Sequence, residues 1–284
     1  MKHVFLNLKR FDITPERGGV NRLAAPDVWG AAVIGSIQEC ATKHAKECEF
    51  AAFLPEAHVV GAVGALSSDS AMGVGCQGVW GSDTAPGANF GAFTTLRTAN
   101  SMAQLGVTWV LVGHCEERMS LRAVMAEAGV EGPVAEAAIG RILNREVRAA
   151  QSAGLSVLFC LGERESEVEH ADEVLASQLT AGLEGADLAR AVVAYEPVWS
   201  IGPGKTPADA PYIQHVACLL KEVLPGIDVV YGGGLKADNA QMLASIPEVD
   251  GGLIALTRFT GQIGFYPEEY RQIVELYLGA CVKG

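Results

Sequence analysis

One carboxylate, one imidazole, one ammonium and one carboxamide stand at the ends of short apolar runs in a chain of 284 residues. Asn7 and Lys9 close a run that starts at His3. His114 follows the run 108–112, in the stretch Gly113-His114-Cys115-Glu116-Glu117-Arg118. Glu196 follows the run 191–195 and opens Glu196-Pro197-Val198-Trp199-Ser200-Ile201-Gly202-Pro203-Gly204-Lys205. Gly232, Gly233 and Gly234 follow the run 228–231. A carboxylate that removes a C–H proton, with an imidazole and an ammonium on the oxygen that gains charge, suits proton abstraction next to a carbonyl. No cofactor is needed for that chemistry, and no metal-ligand cluster is evident. Singly, each residue has a plainer account: a surface histidine, a helix-capping glutamate, an ion-paired lysine, a tight glycine turn. Their joint occurrence at four run ends is what points to a site.

The elements that must position these groups are strands and helices in alternation. Strand-like runs lie at 3–8, 50–54, 73–77, 108–112, 155–160, 191–195, 228–231 and 252–255. Most are continuously apolar, as parallel strands covered on both faces should be. Helical spacing runs over 28–46, 134–153, 166–183, 208–223 and 267–278. Pro267 suits a first helical turn, and Asp238 is placed to cap the helix after the seventh strand. Eight strand–helix units predict an α/β fold, a closed (β/α)8 barrel formed as one domain over residues 1–284. An open doubly wound sheet is the competitor, but the Gly-rich turn it usually carries after its first strand is replaced here by Arg10 and Phe11. Two stretches near 12–27 and 80–90, rich in Gly, Pro, Asp and Asn, read as excursions from the barrel. Catalytic groups of such barrels sit at the C-terminal strand ends, where alternation would turn Asn7 and Lys9 to one side.

Composition excludes several classes. Hydrophobic residues make up 49% and charged residues 19%, which supports a large core and rules out disorder for most of the chain. The net charge is −12 and no basic run occurs, so nucleic acid and anionic membrane surfaces are not expected partners. No apolar run is long enough to span a bilayer, and the first run is too short for a signal segment. Seven scattered cysteines without a CxxC pair are read as reduced thiols of a cytoplasmic protein. Gly202-Pro203-Gly204-Lys205-Thr206 ends like a phosphate-binding loop, but Trp199 stands where that motif needs glycine. Cys160, Glu163, Glu165 and His170 are more simply a strand end and a solvated helix face than metal ligands. A Schiff base on Lys9 would leave Glu196 and the segment after it without a purpose.

These residues resemble the triosephosphate isomerase family. Tyr195-Glu196-Pro197-Val198-Trp199-Ser200-Ile201-Gly202-Pro203-Gly204-Lys205 resembles its catalytic glutamate and mobile lid. Gly113-His114-Cys115-Glu116 resembles its histidine segment, where Ser normally follows the His. Residues 4–9 resemble its first strand, with Leu8 where the family has Trp; Cys160-Leu161-Gly162-Glu163 and 229–233 also match. The resemblance implies a cytoplasmic, homodimeric aldose–ketose isomerase of glycolysis and gluconeogenesis that uses no cofactor. Its substrates would be glyceraldehyde 3-phosphate and dihydroxyacetone phosphate, or a closely related short sugar phosphate. It also implies roles: Glu196 as base, His114 as electrophilic acid, Lys9 as positive charge, Asn7 as orienting group and Glu116 as partner of Lys9. Residues 198–205 would close over the substrate. A neutral histidine at a helix N-terminus is part of the family's known mechanism.

The departures gather at the phosphate handle. The family grips phosphate with backbone N–H groups of the lid glycine, a Ser after strand seven and two glycines after strand eight. Gly202 keeps the first. Gly232 and Gly233 are kept, but the Ser position is Gly234. The two later glycines become Ala255 and Leu256. Arg258 is read either as a replacement grip or as a surface charge. Altered contacts leave open an isomerase for a different substrate, such as a tetrulose phosphate, or a non-catalytic barrel used for binding. The segment Gly91-Ala92-Phe93-Thr94 resembles the family's dimer loop, with Thr95-Leu96 in place of Gly-Glu.

Overall fold

The structure, a computed structural model, describes residues 1–200 and 205–281. Its strands are β1 (Lys2–Asn7), β2 (Cys48–Leu54), β3 (Met72–Cys76), β4 (Trp109–Val112), β5 (Ser156–Leu161), β6 (Ala191–Tyr195), β7 (Asp228–Tyr231) and β8 (Gly251–Ile254). Their order is that of a closed barrel, β1 to β8 in sequence, the (β/α)8 arrangement. Between them lie α1 (Trp29–Lys43), α2 (Glu56–Gly64), α3 (Ala99–Gln104), α4 (Cys115–Glu127) and α5 (Gly132–Ser152). Next come α6 (Ala171–Leu183), α7 (Ala210–Val223), α8 (Ala240–Ala244) and α9 (Pro267–Cys281). Every strand begins or ends within two residues of its apolar run, because runs buried on both faces cannot be mistaken for half-exposed ones. None of the described helices is long and apolar enough to cross a membrane.

The chain groups into two compact units. The first holds Met1–Gln77, Leu105–Trp109 and Val230–Gly284. Within it, β1 pairs in parallel with β2 and with β8, β2 with β3, and β7 with β8. Phe5, Phe53 and Trp109 pack together in its core, with the Phe53 and Trp109 ring centroids 5.9 and 4.9 Å from that of Phe5. The second unit holds Gly78–Gln104 and Val110–Val229. Within it, β5 pairs with β6 from Val157–Ala191 to Leu161–Tyr195.

Several expectations need correction. The helical pattern over 166–183 is broken: residues Glu165–His170 form 3-10 turns, and the α-helix starts only at Ala171. Asp238 does not cap α8. Asn239 stands at the cap position and turns its side chain backward, to the Lys236 N–H and the Gly234 carbonyl. The helices α2, α3, α4 and α8 escape hydrophobic periodicity. In α4 the one buried residue is Arg118, so no apolar stripe marks it. The excursions at 12–27 and 80–90 hold no strand or α-helix. Asn21 braces the first by donating to the carbonyls of Asp12 and Ala24 at 3.1 and 2.9 Å.

Candidate active site

In the second unit, the end of β4 and the start of α4 meet the end of β6. His114 is the N-cap of α4, and its Nδ1 accepts the Glu116 N–H at 3.2 Å. A ring nitrogen that accepts carries no proton, so the remaining proton sits on Nε2. That Nε2 lies 3.1 Å from Glu196 Oε1. The other carboxylate oxygen of Glu196 accepts the Cys115 N–H at 2.9 Å. Glu196 is only 2% exposed. The first-turn N–H groups of a helix are the donors that suit a buried negative charge. Glu116 itself points outward, its side chain 55% exposed and its Oε2 3.8 Å from His114 Nδ1.

Around this pair the backbone is packed closely. A Cβ at Gly162 would stand 1.8 Å from the Glu196 carbonyl oxygen, so only glycine lets β5 and β6 approach there. Arg118, fully buried, donates through Nε to the Gly113 carbonyl at 2.8 Å and through Nη2 to the Cys160 carbonyl at 2.9 Å. Burial, then the Arg122 charge, pulls its pKa down to about 10. It remains the cation that ties β4 to β5. Glu163, with no exposed surface, accepts at Oε1 from Tyr195 Oη at 2.9 Å, Trp199 Nε1 at 2.6 Å and Tyr212 Oη at 3.1 Å. It thereby anchors the chain just after Glu196. Of Cys160, Glu163, Glu165 and His170, Glu163 serves aromatic hydroxyls and an indole. Burial, then the Glu163 charge, raises the Tyr212 hydroxyl to about 12, so it stays a donor.

In the first unit, β1 stops at Asn7, so strand alternation does not orient Lys9. Lys9 takes a left-handed conformation, φ +38, which a non-glycine residue adopts at a cost of about 1–2 kcal/mol. Two side chains hold it there. Asn7 Oδ1 accepts the Lys9 N–H at 3.1 Å, and Gln77 Nε2 donates to the Lys9 carbonyl at 3.1 Å and to Asn7 Oδ1 at 3.3 Å. Gln77 is absent from the sequence-derived site; its position directly after β3 was the available signal. Gly232, Gly233 and Gly234 follow β7, and Ala255 and Leu256 follow β8, all partly buried. Arg258 lies on a hairpin bridged to Gly264. Its Nε and Nη2 donate to Glu269 Oε1 at 2.7 and 2.5 Å, and its guanidinium lies 3.6 Å from the Tyr266 ring centroid. Gly202 lies outside the described residues.

The donor atoms of His114, Cys115 and Glu196 lie within 4.8 Å of one another, as do those of Cys40, His44 and Glu275. In the second group, His44 Nδ1 and Nε2 are engaged by Glu47 and Glu275 at 2.6 and 3.0 Å. In the first, Nδ1 faces an N–H and Nε2 faces a carboxylate. Both arrangements are those of charge and proton pairing rather than of ligands turned toward an ion.

A parallel barrel with a buried carboxylate–imidazole pair at its strand ends is the frame of a proton-transfer enzyme class. The chain belongs to the triosephosphate isomerase family: the family model of that description matches residues 31–262. The chain is 37% identical over 176 residues to the triosephosphate isomerase of Prosthecochloris aestuarii, spanning 58% of this chain and 64% of that protein. With the Synechococcus JA-2-3B'a(2-13) protein of the same name it shares 35% over 204 residues, spanning 68% and 73%. The crystal structure of triosephosphate isomerase from Bartonella henselae superposes with a TM-score of 0.70, covering 98% of this chain and 99% of that one. Sequence identity is 22%, so that likeness is one of fold.

Two neighbouring acids, half-buried Glu117 and buried Glu146, support the histidine segment. Glu117 Oε2 accepts the Gly113 N–H at 2.6 Å, and burial raises its pKa. Burial first, and the Glu117 charge second, push Glu146 up to about 9; Arg97 and Arg145 act in the opposite sense. Unfolded, Glu146 should titrate near its ordinary value of about 4.3. Between these values the folded chain binds more protons than the unfolded one, so this group's contribution to stability falls as pH rises. Glu146→Gln should therefore gain melting temperature relative to the parent as pH goes from 5 to 9 in scanning calorimetry. A difference that stays flat across that window contradicts the assignment.

Proposed function

We propose that the chain is an aldose–ketose isomerase that interconverts glyceraldehyde 3-phosphate and dihydroxyacetone phosphate, or a closely related short sugar phosphate, through an enediolate. The carrying observation is the Glu196 carboxylate, 2% exposed and 3.1 Å from the His114 Nε2. Glu196 removes a proton from the carbon beside the carbonyl. The C–H electron pair becomes the new C=C bond, and the carbonyl π pair moves onto oxygen. His114, with its proton on Nε2, donates to that oxygen, and Lys9 adds positive charge there. The neighbouring hydroxyl then gives its proton to His114 Nε2 and becomes the new carbonyl, while the C=C pair takes the proton held by Glu196 at the former carbonyl carbon, so the shift completes without a net change in oxidation state. Asn7 and Gln77 hold the Lys9 backbone in its strained turn before substrate arrives. Gly202 and Gly232–Gly234 belong to the phosphate end in this reading. The seven free thiols support a reducing, cytoplasmic compartment.

The chain is further proposed to act as a homodimer. Support comes from the likeness of Gly91-Ala92-Phe93-Thr94 to a dimer loop, next to a Phe90 side chain that is 93% exposed. Light scattering at micromolar concentration should report twice the chain mass; a fully active monomer overturns the dimer.

Glu196→Gln tests the base. General base catalysis contributes roughly 10²–10⁴-fold, so turnover of glyceraldehyde 3-phosphate should fall by that factor while the fold and ligand binding persist. Turnover equal to that of the parent removes Glu196 from the role.

A further inference from the structure

The phosphate end of the site has lost a hydroxyl at Gly234 and gained side chains at Ala255 and Leu256. An anion needs donors there, and two cations lie nearby in the same unit. The structure separates them. Arg258 is already committed: Glu269, in the first turn of α9, takes both its Nε and Nη2 hydrogens, and Tyr266 covers its face. Drawing it to a ligand would strip a carboxylate of its partner. Lys236 has no carboxylate partner among the described residues. Its Nζ lies 4.3 Å from the centroid of the Phe259 ring, a contact that orients an ammonium without neutralising it.

The position of Lys236 is more telling than its freedom. Gly234 has φ +102, and a Cβ built there would lie 3.4 Å from Lys236 Cε. The end of the lysine side chain therefore stands beside the space that a side chain at 234 would enter, which is where the family carries its serine. The loop is braced to keep it so. Asn239 Oδ1 accepts the Lys236 N–H at 2.8 Å, and Asn239 Nδ2 donates to the Gly234 carbonyl at 2.9 Å. Among the described residues, no acceptor is present for the N–H groups of Gly233 and Gly234. Two backbone donors without an acceptor and an ammonium without a carboxylate partner, both among the described residues, form a site for an oxyanion. Phe259 belongs to the hairpin bridged at Arg258 and Gly264, so this hairpin supplies the ring that sets the lysine.

We propose that Lys236, set by Phe259 beside Gly234, is the receptor for the phosphate group in this chain, in place of the missing hydroxyl and instead of Arg258. The inference deepens the isomerase reading and rests on it only for the identity of the phosphate's bearer. A neutral handle would gain little from an ammonium and two N–H donors, and among anions the charge and several acceptor oxygens of a phosphate monoester dianion gain most.

Binding of inorganic phosphate, followed by phosphorus NMR titration, tests the site without requiring turnover. The parent should bind, Lys236→Met should weaken binding by about tenfold or more, and Lys236→Arg should recover most of the loss because charge is kept. The KM for glyceraldehyde 3-phosphate should rise with the same ordering. Circular dichroism on all variants checks the fold, and the arginine variant separates loss of charge from loss of structure. No measurable phosphate binding by the parent overturns the proposal. So does an affinity unchanged in Lys236→Met, or one lost in Arg258→Gln instead, even where the parent isomerises its substrate. Lysine-dependent phosphate binding without isomerase turnover upholds the receptor and removes the isomerase reading.

Discussion

A base that must abstract a weakly acidic proton works best out of water, and a carboxylate out of water is expensive to hold. In the proposed isomerase, Glu196 is the residue on which that constraint falls. Its two oxygens are matched by two donors of different kind: a main-chain N–H at the start of α4 and an imidazole N–H. Both come from adjacent residues, His114 and Cys115, so one turn of backbone holds the carboxylate and presents the imidazole. The same helix start also takes up the second imidazole nitrogen, through the Glu116 N–H. One helix N-terminus thus fixes the position of a carboxylate and the tautomer of a histidine.

Much of the surrounding packing follows from keeping that turn in register with β6. Arg118 reaches back from α4 to the carbonyls that end β4 and β5. Glu117 holds the N–H of Gly113. Gly162 leaves room for the Glu196 carbonyl, and Glu163 fastens Tyr195, Trp199 and Tyr212 on either side of the base. These groups touch one another or the backbone, and any of them altered alone would leave a buried polar atom without its partner. The segments after β7 and β8 are under no such restriction. They lie in loops, which can exchange residues without disturbing strand pairing. The ends of β4 and β6 therefore keep His114 and Glu196, while the segments after β7 and β8 carry Gly234, Ala255, Leu256 and a hairpin.

The strands were readable because continuous apolar runs have one physical meaning in an alternating α/β chain. His114 and Glu196 stood out for the same reason: Glu196 directly follows a run, and His114 lies two residues past one. Lys9 lies two residues past the end of β1, so its conformation comes from Asn7 and Gln77 rather than from the strand alternation expected for it. The helix α4 was invisible because it buries a guanidinium instead of an apolar stripe. Arg258 and Lys236 could not be distinguished from sequence. Each is a cation near a glycine-bearing loop, and only the placement of Glu269 and Phe259 tells which one is already occupied.

The central claim is proton transfer through an enediolate by a protein carboxylate, and isotope exchange addresses it most directly. Dihydroxyacetone phosphate would be isomerised in deuterium oxide and the products followed by proton NMR. The account predicts deuterium from solvent at C2 of glyceraldehyde 3-phosphate, because the proton on Glu196 exchanges with water before it is returned. Turnover that delivers the substrate's own hydrogen to C2, with no deuterium incorporated, would indicate direct hydride migration and contradict it.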